Sequence, residues 1–181
     1  NYKNLTFTKD LFQSGSKIYV DNFLKEEKNN QSDIIEIHNR PAYISNLYKS
    51  TKGKLVLYFH NDPLNMNGSK SISDRLFLLN NCYKIIFNSE WSRKRFIHKL
   101  NKFYHKSDKL EVIHQSTNKA KVNIFKKKNI ITFVGKLNSA KGYDLFGKAV
   151  IQILNKYKNW KSNVIGDEPR EKIHFSHERL K

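Results

Sequence analysis

Two lysines five residues apart bracket a short turn-forming segment, Gly135-Lys136-Leu137-Asn138-Ser139-Ala140-Lys141-Gly142. The segment follows an apolar run, 130–134, and leads into a helical pattern, so both ammonium groups stand near a helix N-terminus. Cations there oppose the helix macrodipole, at about 0.3–1 kcal/mol each when exposed. A bound phosphate reverses that sign, because unpaired backbone N–H groups and both side chains then face an anion. The chemistry such a pair could do is hold a phosphate; the same lysines would also serve as solvated surface charges in a Lys-rich chain. The glycines supply neither G-x-G-x-x-G nor G-x-x-x-x-G-K-[ST], so the dinucleotide and Walker-type fingerprints are missing.

A second regularity is positional. His38, His60 and His114 each follow an apolar, β-branched or aromatic run, at 34–37, 54–59 and 110–113. Asn61, Asn88-Ser89, Gly135-Lys136 and Gly166-Asp167 stand in equivalent places. Turns are polar for ordinary reasons, but three histidines in one register exceed what turn chemistry alone supplies.

These residues need elements to position them, and the chain alternates. Strand-like runs at 34–37, 54–59, 83–87, 110–113, 130–134 and 163–165 are separated by helical spacing over 42–49, 73–80, 90–102 and 141–156. Asn88-Ser89 can cap the helix that starts at Glu90. Near the start, 17–21 reads as a short strand and 25–32 as a polar loop or frayed helix, while 119–128 reads as a basic linker. Strands separated by helices make βαβ units, and hence an α/β fold of Rossmann-like parallel sheets. In such sheets ligands bind beyond the carboxyl ends of the strands, where the histidines, asparagines and glycines fall.

Composition narrows the classes. The chain has 181 residues with 34 Lys+Arg against 16 Asp+Glu, a net charge of +18 and a pI near 9.9. With 38% hydrophobic and 13% aromatic residues it is globular. No apolar run approaches the ~18 residues needed to span a bilayer. Cys82 is the only cysteine, which excludes a disulfide framework and a cysteine-based zinc site and fits a reducing, cytoplasmic compartment. The charge calls for an anionic partner: nucleic acid, an anionic membrane or a phosphorylated substrate. Arg93, Lys94, Arg95, Lys99, Lys102, Lys106 and Lys109, with Phe96, Ile97, Leu100 and Phe103 at helical spacing, predict an amphipathic helix with a cationic face.

The order of motifs resembles family 4 (group 1) glycosyltransferases of the GT-B fold. Gly135-Lys136-Leu137 through Lys141-Gly142 is similar to the family's G-R-L-x-x-x-K-G, and Val164-Ile165-Gly166-Asp167 to its strand ending in G-D/E-G-P. Upstream, Asn88-Ser89-Glu90-Trp91-Ser92 is similar to V-S-x-W/F-S/T. The resemblance covers roughly residues 33 to 170. It implies retaining transfer of a sugar from a nucleotide-diphosphate donor to a glycan or lipid-linked acceptor, as in cell-envelope polysaccharide or lipopolysaccharide synthesis. Lys136, in place of the family's arginine, and Lys141 would hold the donor diphosphate and stabilise it as it leaves, without a metal or a cofactor besides the donor. The chain has no D-x-D, the mark of metal-dependent GT-A enzymes. His60 would face the donor sugar and acceptor, Gly135 and Gly166 would lie beside the nucleotide, and Asn61, Asn118 and Asp167 would contact substrate.

The sequence also departs from the family. Its usual N-G-V-D reads Ser116-Thr117-Asn118, its G-D-G-P reads Gly166-Asp167-Glu168-Pro169, and neither the glycine-rich loop nor the downstream E-x7-E occurs. An internal fragment is therefore expected, inactive alone, with residues 1–122 from the N-terminal acceptor-side domain and 123–181 comprising the linker and the opening of the nucleotide-sugar domain. Peripheral association with the inner face of the cell membrane through residues 93–109 is expected, and nucleic acid is not. A basic nucleic-acid-binding protein and a non-catalytic GT-B scaffold remain as alternatives.

Overall fold

The structure, a computed structural model, describes residues 15–181; the unpatterned first 14 residues lie outside it. The chain forms two compact units that meet in sequence between Thr117 and Asn118. In the first unit, β1 (Ile34–His38), β2 (Lys54–Phe59), β3 (Lys84–Phe87) and β4 (Leu110–Val112) make one parallel sheet in sequential order. On β1 burial alternates, whereas β2 buries Leu55, Val56, Leu57 and Phe59, as an inner strand covered on both faces must.

The helices differ from expectation at instructive places. Residues 17–21 are not a strand: α1 (Gly15–Asn29) runs through them and through most of 25–32. Val20 is buried and Phe23 and Leu24 pack on the core, so a helical i, i+3, i+4 stripe prevails over the local β-branched run. The helix end is tied down by buried Glu27, whose carboxylate accepts from the backbone N–H and hydroxyl of Ser32 at 2.9 and 2.8 Å. The helix expected over 42–49 is a 3-10 turn, Pro41–Tyr43, followed by the single turn α2 (Ile44–Leu47). α3 (Ile72–Asn81) starts with a capping box between Ser71 and Asp74.

Ser89 caps α4 (Glu90–Ile97) as the sequence predicts, its hydroxyl accepting from the Ser92 N–H. The helix nonetheless stops well short of 102. The buried Arg75 guanidinium donates to the carbonyls of Phe96 and His98, satisfying the helix end, and Lys99 turns the chain at φ 61°. A separate 3-10 turn, Lys102–Lys106, follows, so residues 93–109 do not form one amphipathic helix.

Phe59 and Phe87, the last residues of β2 and β3, stack with ring centroids 5.6 Å apart, and Phe96 of α4 closes on them at 5.8 and 5.3 Å. All three are fully buried, directly beneath the strand ends that carry His60 and Asn88.

The second unit pairs β5 (Ile130–Val134) with β6 (Lys161–Ile165) in parallel, linked by α5 (Tyr143–Lys156). Phe133, Tyr143 and Phe175 cluster at 5.2 and 5.5 Å, while Val150 and Leu154 face inward. Arg179 closes the end of α5 by donating to the carbonyls of Leu154, Tyr157, Lys158 and Trp160. The turns after β5 and β6 touch: a Cβ on Gly166, at φ +156°, would lie 1.8 Å from the Gly135 carbonyl oxygen.

Two outcomes test this packing. Phe96→Ala empties the aromatic trio and should cost about 3–5 kcal/mol in urea unfolding of the first unit; a loss below ~1 kcal/mol would contradict the burial. Gly166→Ala should destabilise the second unit by about 1–3 kcal/mol through the turn contact and backbone strain, read as a lowered melting temperature.

Candidate functional site

In the first unit the parallel register brings His38 opposite Tyr58, with His60 two residues further on β2's exit. The three rings lie within 13° of parallel, Tyr58 being 4.5 Å from His60 and 5.5 Å from His38. His38 Nδ1 and His60 Nε2 are 2.7 Å apart, and His60 Nδ1 is 2.8 Å from the Gln115 amide nitrogen. The Asn39 side-chain oxygen accepts from the His60 N–H, Asn88 donates its amide to the His60 carbonyl, and His114 donates Nδ1–H to the Asn88 carbonyl. Asn39 adopts φ 52°, a conformation asparagine tolerates better than most residues. Burial, and then the neighbouring His38, hold the His60 pKa below the usual imidazole value. Just beyond, Asp62 takes a bidentate contact from Arg95, with Nε at 3.1 Å and Nη2 at 2.9 Å, which holds its carboxyl below the usual range.

In the second unit the strand exits meet a set of carboxylates. Asn138, nearly buried, accepts from the Lys141 N–H with its side-chain oxygen and donates its amide to Glu168 at 3.2 Å. The Glu168 carboxylate is itself buried, lies 2.9 Å from Arg170 Nε and 4.0 Å from Lys136 Nζ, and is held at a pKa of about 2, chiefly by Arg170. Glu171 accepts both the backbone N–H of Ser139, at 3.1 Å, and its hydroxyl, at 2.9 Å. The turn between β5 and α5 thus holds carboxylates on one backbone donor, one hydroxyl, one side-chain amide and one ammonium group. Gly142, in the left-handed region at φ 73°, leads into α5, whose first turn carries Asp144 in the position the macrodipole favours.

The expected residues fall as follows. His60 stands half-buried in a hydrogen-bonded cluster, whereas Asn61 is exposed in the next turn. Lys136 reaches Glu168 and is 61% exposed along its side chain; Lys141 is exposed and has no ion-pair partner among the described residues. Gly135 and Gly166 meet through their turns, Asp167 is exposed beside them, and Asn118 is exposed at the start of the second unit. Sequence reasoning picked out His38 and Gln115 at strand ends without joining them to His60, and it missed Glu36 beside them and Asn138, Glu168, Arg170 and Glu171 around Lys136. Histidines ending consecutive strands carried the signal for the first set; an acidic residue where the family pattern has glycine carried it for Glu168.

Cys82 offers no chemistry here, because burial pushes its thiol up to about 12. No described helix is long and apolar enough to cross a membrane.

Residues 114–178 match the sequence family described as glycosyl transferases group 1. No curated protein matches the chain. Among solved structures it is similar to TarM, with a TM-score of 0.57 and 12% identity over 82% of this chain and 31% of that one. It is also similar to Anabaena HepE in complex with UDP-glucose, with a TM-score of 0.59 and 14% identity over 86% of this chain and 45% of that one. For S. aureus MnaA bound to UDP the TM-score is 0.54 and the identity 12%, over 98% of this chain and 53% of that one. The chain therefore spans between 31% and 53% of the length of these structures. These findings show similarity of residues 114–178 to the group 1 glycosyltransferases and give the chain the Rossmann-like parallel sheets of the GT-B fold.

Proposed function

We propose that the chain serves retaining, metal-independent transfer of a sugar from a nucleotide-diphosphate donor, within family 4 of the group. The observation that carries this reading is the turn at 135–142, whose Ser139 N–H, Ser139 hydroxyl and Lys136 ammonium already meet carboxylate oxygens. Donors that hold a carboxylate hold a phosphate by the same hydrogen bonds. Lys136 and Lys141 would bind the donor diphosphate and stabilise its charge as the glycosidic bond breaks, a purely electrostatic contribution that asks for no cofactor other than the donor. Glycines at 135 and 166 leave room for the nucleotide next to the backbone, with Asp167 alongside. His60 would face the donor sugar and the acceptor, with Asn61 and Asn118 contacting substrate. The UDP-glucose bound to HepE supports a nucleotide-sugar donor. On this reading the 181-residue stretch alone binds donor weakly and is inactive.

The acceptor we propose is a lipid-linked or cell-envelope glycan, reached at the inner face of the cell membrane. Exposed Lys94, Lys99, Lys102 and Lys106 lie in the same stretch of chain as Trp91 and Phe103, which are 59% and 81% exposed. Each basic residue near an anionic leaflet contributes on the order of 1 kcal/mol, and the two rings suit the headgroup layer.

Calorimetric titration with UDP and with GDP tests the donor site. Lys141→Ala should weaken the better nucleotide by about 1.5 kcal/mol or more, roughly tenfold, whereas Glu171→Gln, which removes a competing charge, should tighten it. Equal affinity in all three proteins removes the turn from the donor site, and stabilisation by a single-stranded oligonucleotide instead would favour nucleic-acid binding. For the membrane contact, sedimentation with phosphatidylglycerol vesicles should exceed that with phosphatidylcholine vesicles and fade in 0.5 M salt (about 4 Å Debye length). Equal sedimentation with both lipids would refute it.

A further inference from the structure

Glu36, His38, His60 and Gln115 form a line of side chains of which the reading above uses only His60. The direction of the line follows from the orientation of the Gln115 amide. The Gln115 amide nitrogen, 2.8 Å from His60 Nδ1, can only donate, so Nδ1 carries a lone pair and neutral His60 has its proton on Nε2. That N–H points at His38 Nδ1, 2.7 Å away, which must accept. Neutral His38 then carries its own proton on Nε2, the nitrogen that stands 3.4 Å from Glu36 Oε1. The line therefore runs from an amide through two imidazoles by two hydrogen bonds and ends 3.4 Å from a carboxylate.

We propose that Glu36 and His38 are positioning residues that fix His60 as its Nε2–H tautomer, leaving an unprotonated Nδ1 to accept a hydrogen bond from a sugar hydroxyl, with Gln115 occupying that lone pair in the absence of sugar. The inference rests on the preceding reading only in taking sugar as the ligand. Its geometry is over-determined. The parallel register sets His38 against Tyr58, whose ring lies close to both imidazoles and whose hydroxyl is anchored at 2.7 Å to the Ile113 carbonyl. Asn39 and Asn88 fix the His60 backbone from the two neighbouring strand ends. The groups facing His60 are His38 and Glu36 from β1, Tyr58 from β2 and Gln115 beyond β4, with His114 turned to the Asn88 carbonyl. Glu36 is the one carboxylate among them, and it reaches His60 through His38. Burial, and then the neighbouring His38, disfavour protonation of His60, so its neutral form persists below the pH at which an unperturbed imidazole charges.

Long-range 15N–1H spectra of the histidine rings test this in the protein itself. His60 should show a single Nε2–H tautomer and a titration midpoint below the ordinary imidazole value. His38→Asn keeps an oxygen acceptor where Nδ1 stands and should preserve the tautomer, while the midpoint rises with loss of the neighbouring imidazole. His38→Leu removes the acceptor and should give a tautomer mixture with a midpoint raised by about half a unit or more, at unchanged melting temperature. Glu36→Gln keeps a hydrogen-bond acceptor without the charge and should leave the tautomer in place. A native His60 protonated on Nδ1 would overturn the proposal whether or not any variant folds, as would a His38→Leu protein indistinguishable from native. Adding UDP-glucose separates the two readings: a shift of the His60 Nδ1 resonance with loss of the Gln115 contact supports the role toward sugar. A fixed tautomer that no nucleotide sugar perturbs would remove that role and, with it, the sugar-facing reading of His60.

Discussion

Parallel pairing has one consequence on which both candidate sites rest: every strand delivers its carboxyl end to the same edge of the sheet. In the first unit, β1 pairs with β2 so that His38 lies opposite Tyr58, and the pleat then puts His60 on the same side as Tyr58. A slip of one residue would send these rings to opposite faces. The register is set by burial: Leu55, Leu57 and Phe59 of β2, with Ile35 and Ile37 of β1, must all enter the core. The hydrophobic pattern that stabilises the sheet thus also places the imidazoles, and the Phe59, Phe87 and Phe96 trio makes the floor beneath them rigid.

The second unit applies the same rule to anions. Its two strand exits are drawn together until the glycines at 135 and 166 touch, which a side chain on Gly166 would prevent. Backbone donors at the mouth of such a turn must be met by something, because unpaired N–H groups are costly. Here Glu171 meets Ser139, and Glu168 is shared among Asn138, Arg170 and Lys136.

The strands were legible because β-branched runs bounded by histidine, asparagine, proline and glycine have few other readings, and all six form. What sequence could not show was competition from distant residues. At 17–21 the β-branched run suggests a strand, but a face formed by Val20, Phe23 and Leu24 has a core to pack against, and only the folded unit reveals that core. At 97 the helix ends although Leu100 and Phe103 continue the spacing, because Arg75, more than twenty residues upstream, captures the last carbonyls. The site was legible to the same degree. His60 and Lys136 stood out by position, whereas Glu36, Gln115, Asn138 and Glu171 are ordinary residues whose meaning lies in a partner brought close by the fold.

Glu168 bears on what kind of ligand the turn can accept. Arg170 beside it holds the Glu168 pKa at about 2, so the carboxylate stays negative throughout the physiological range and no proton relieves its hold on Lys136. A ligand must therefore compete as an anion, against a carboxylate already buried and hydrogen-bonded by Asn138. A singly charged oxygen ligand has little advantage over Glu168. A diphosphate brings more charge and more acceptor oxygens, and can engage Ser139, Lys136 and Lys141 together while Arg170 and Asn138 retain Glu168. On the proposed function the internal carboxylates would act as a filter, favouring polyanions over weaker acids at a turn in a chain of net charge +18.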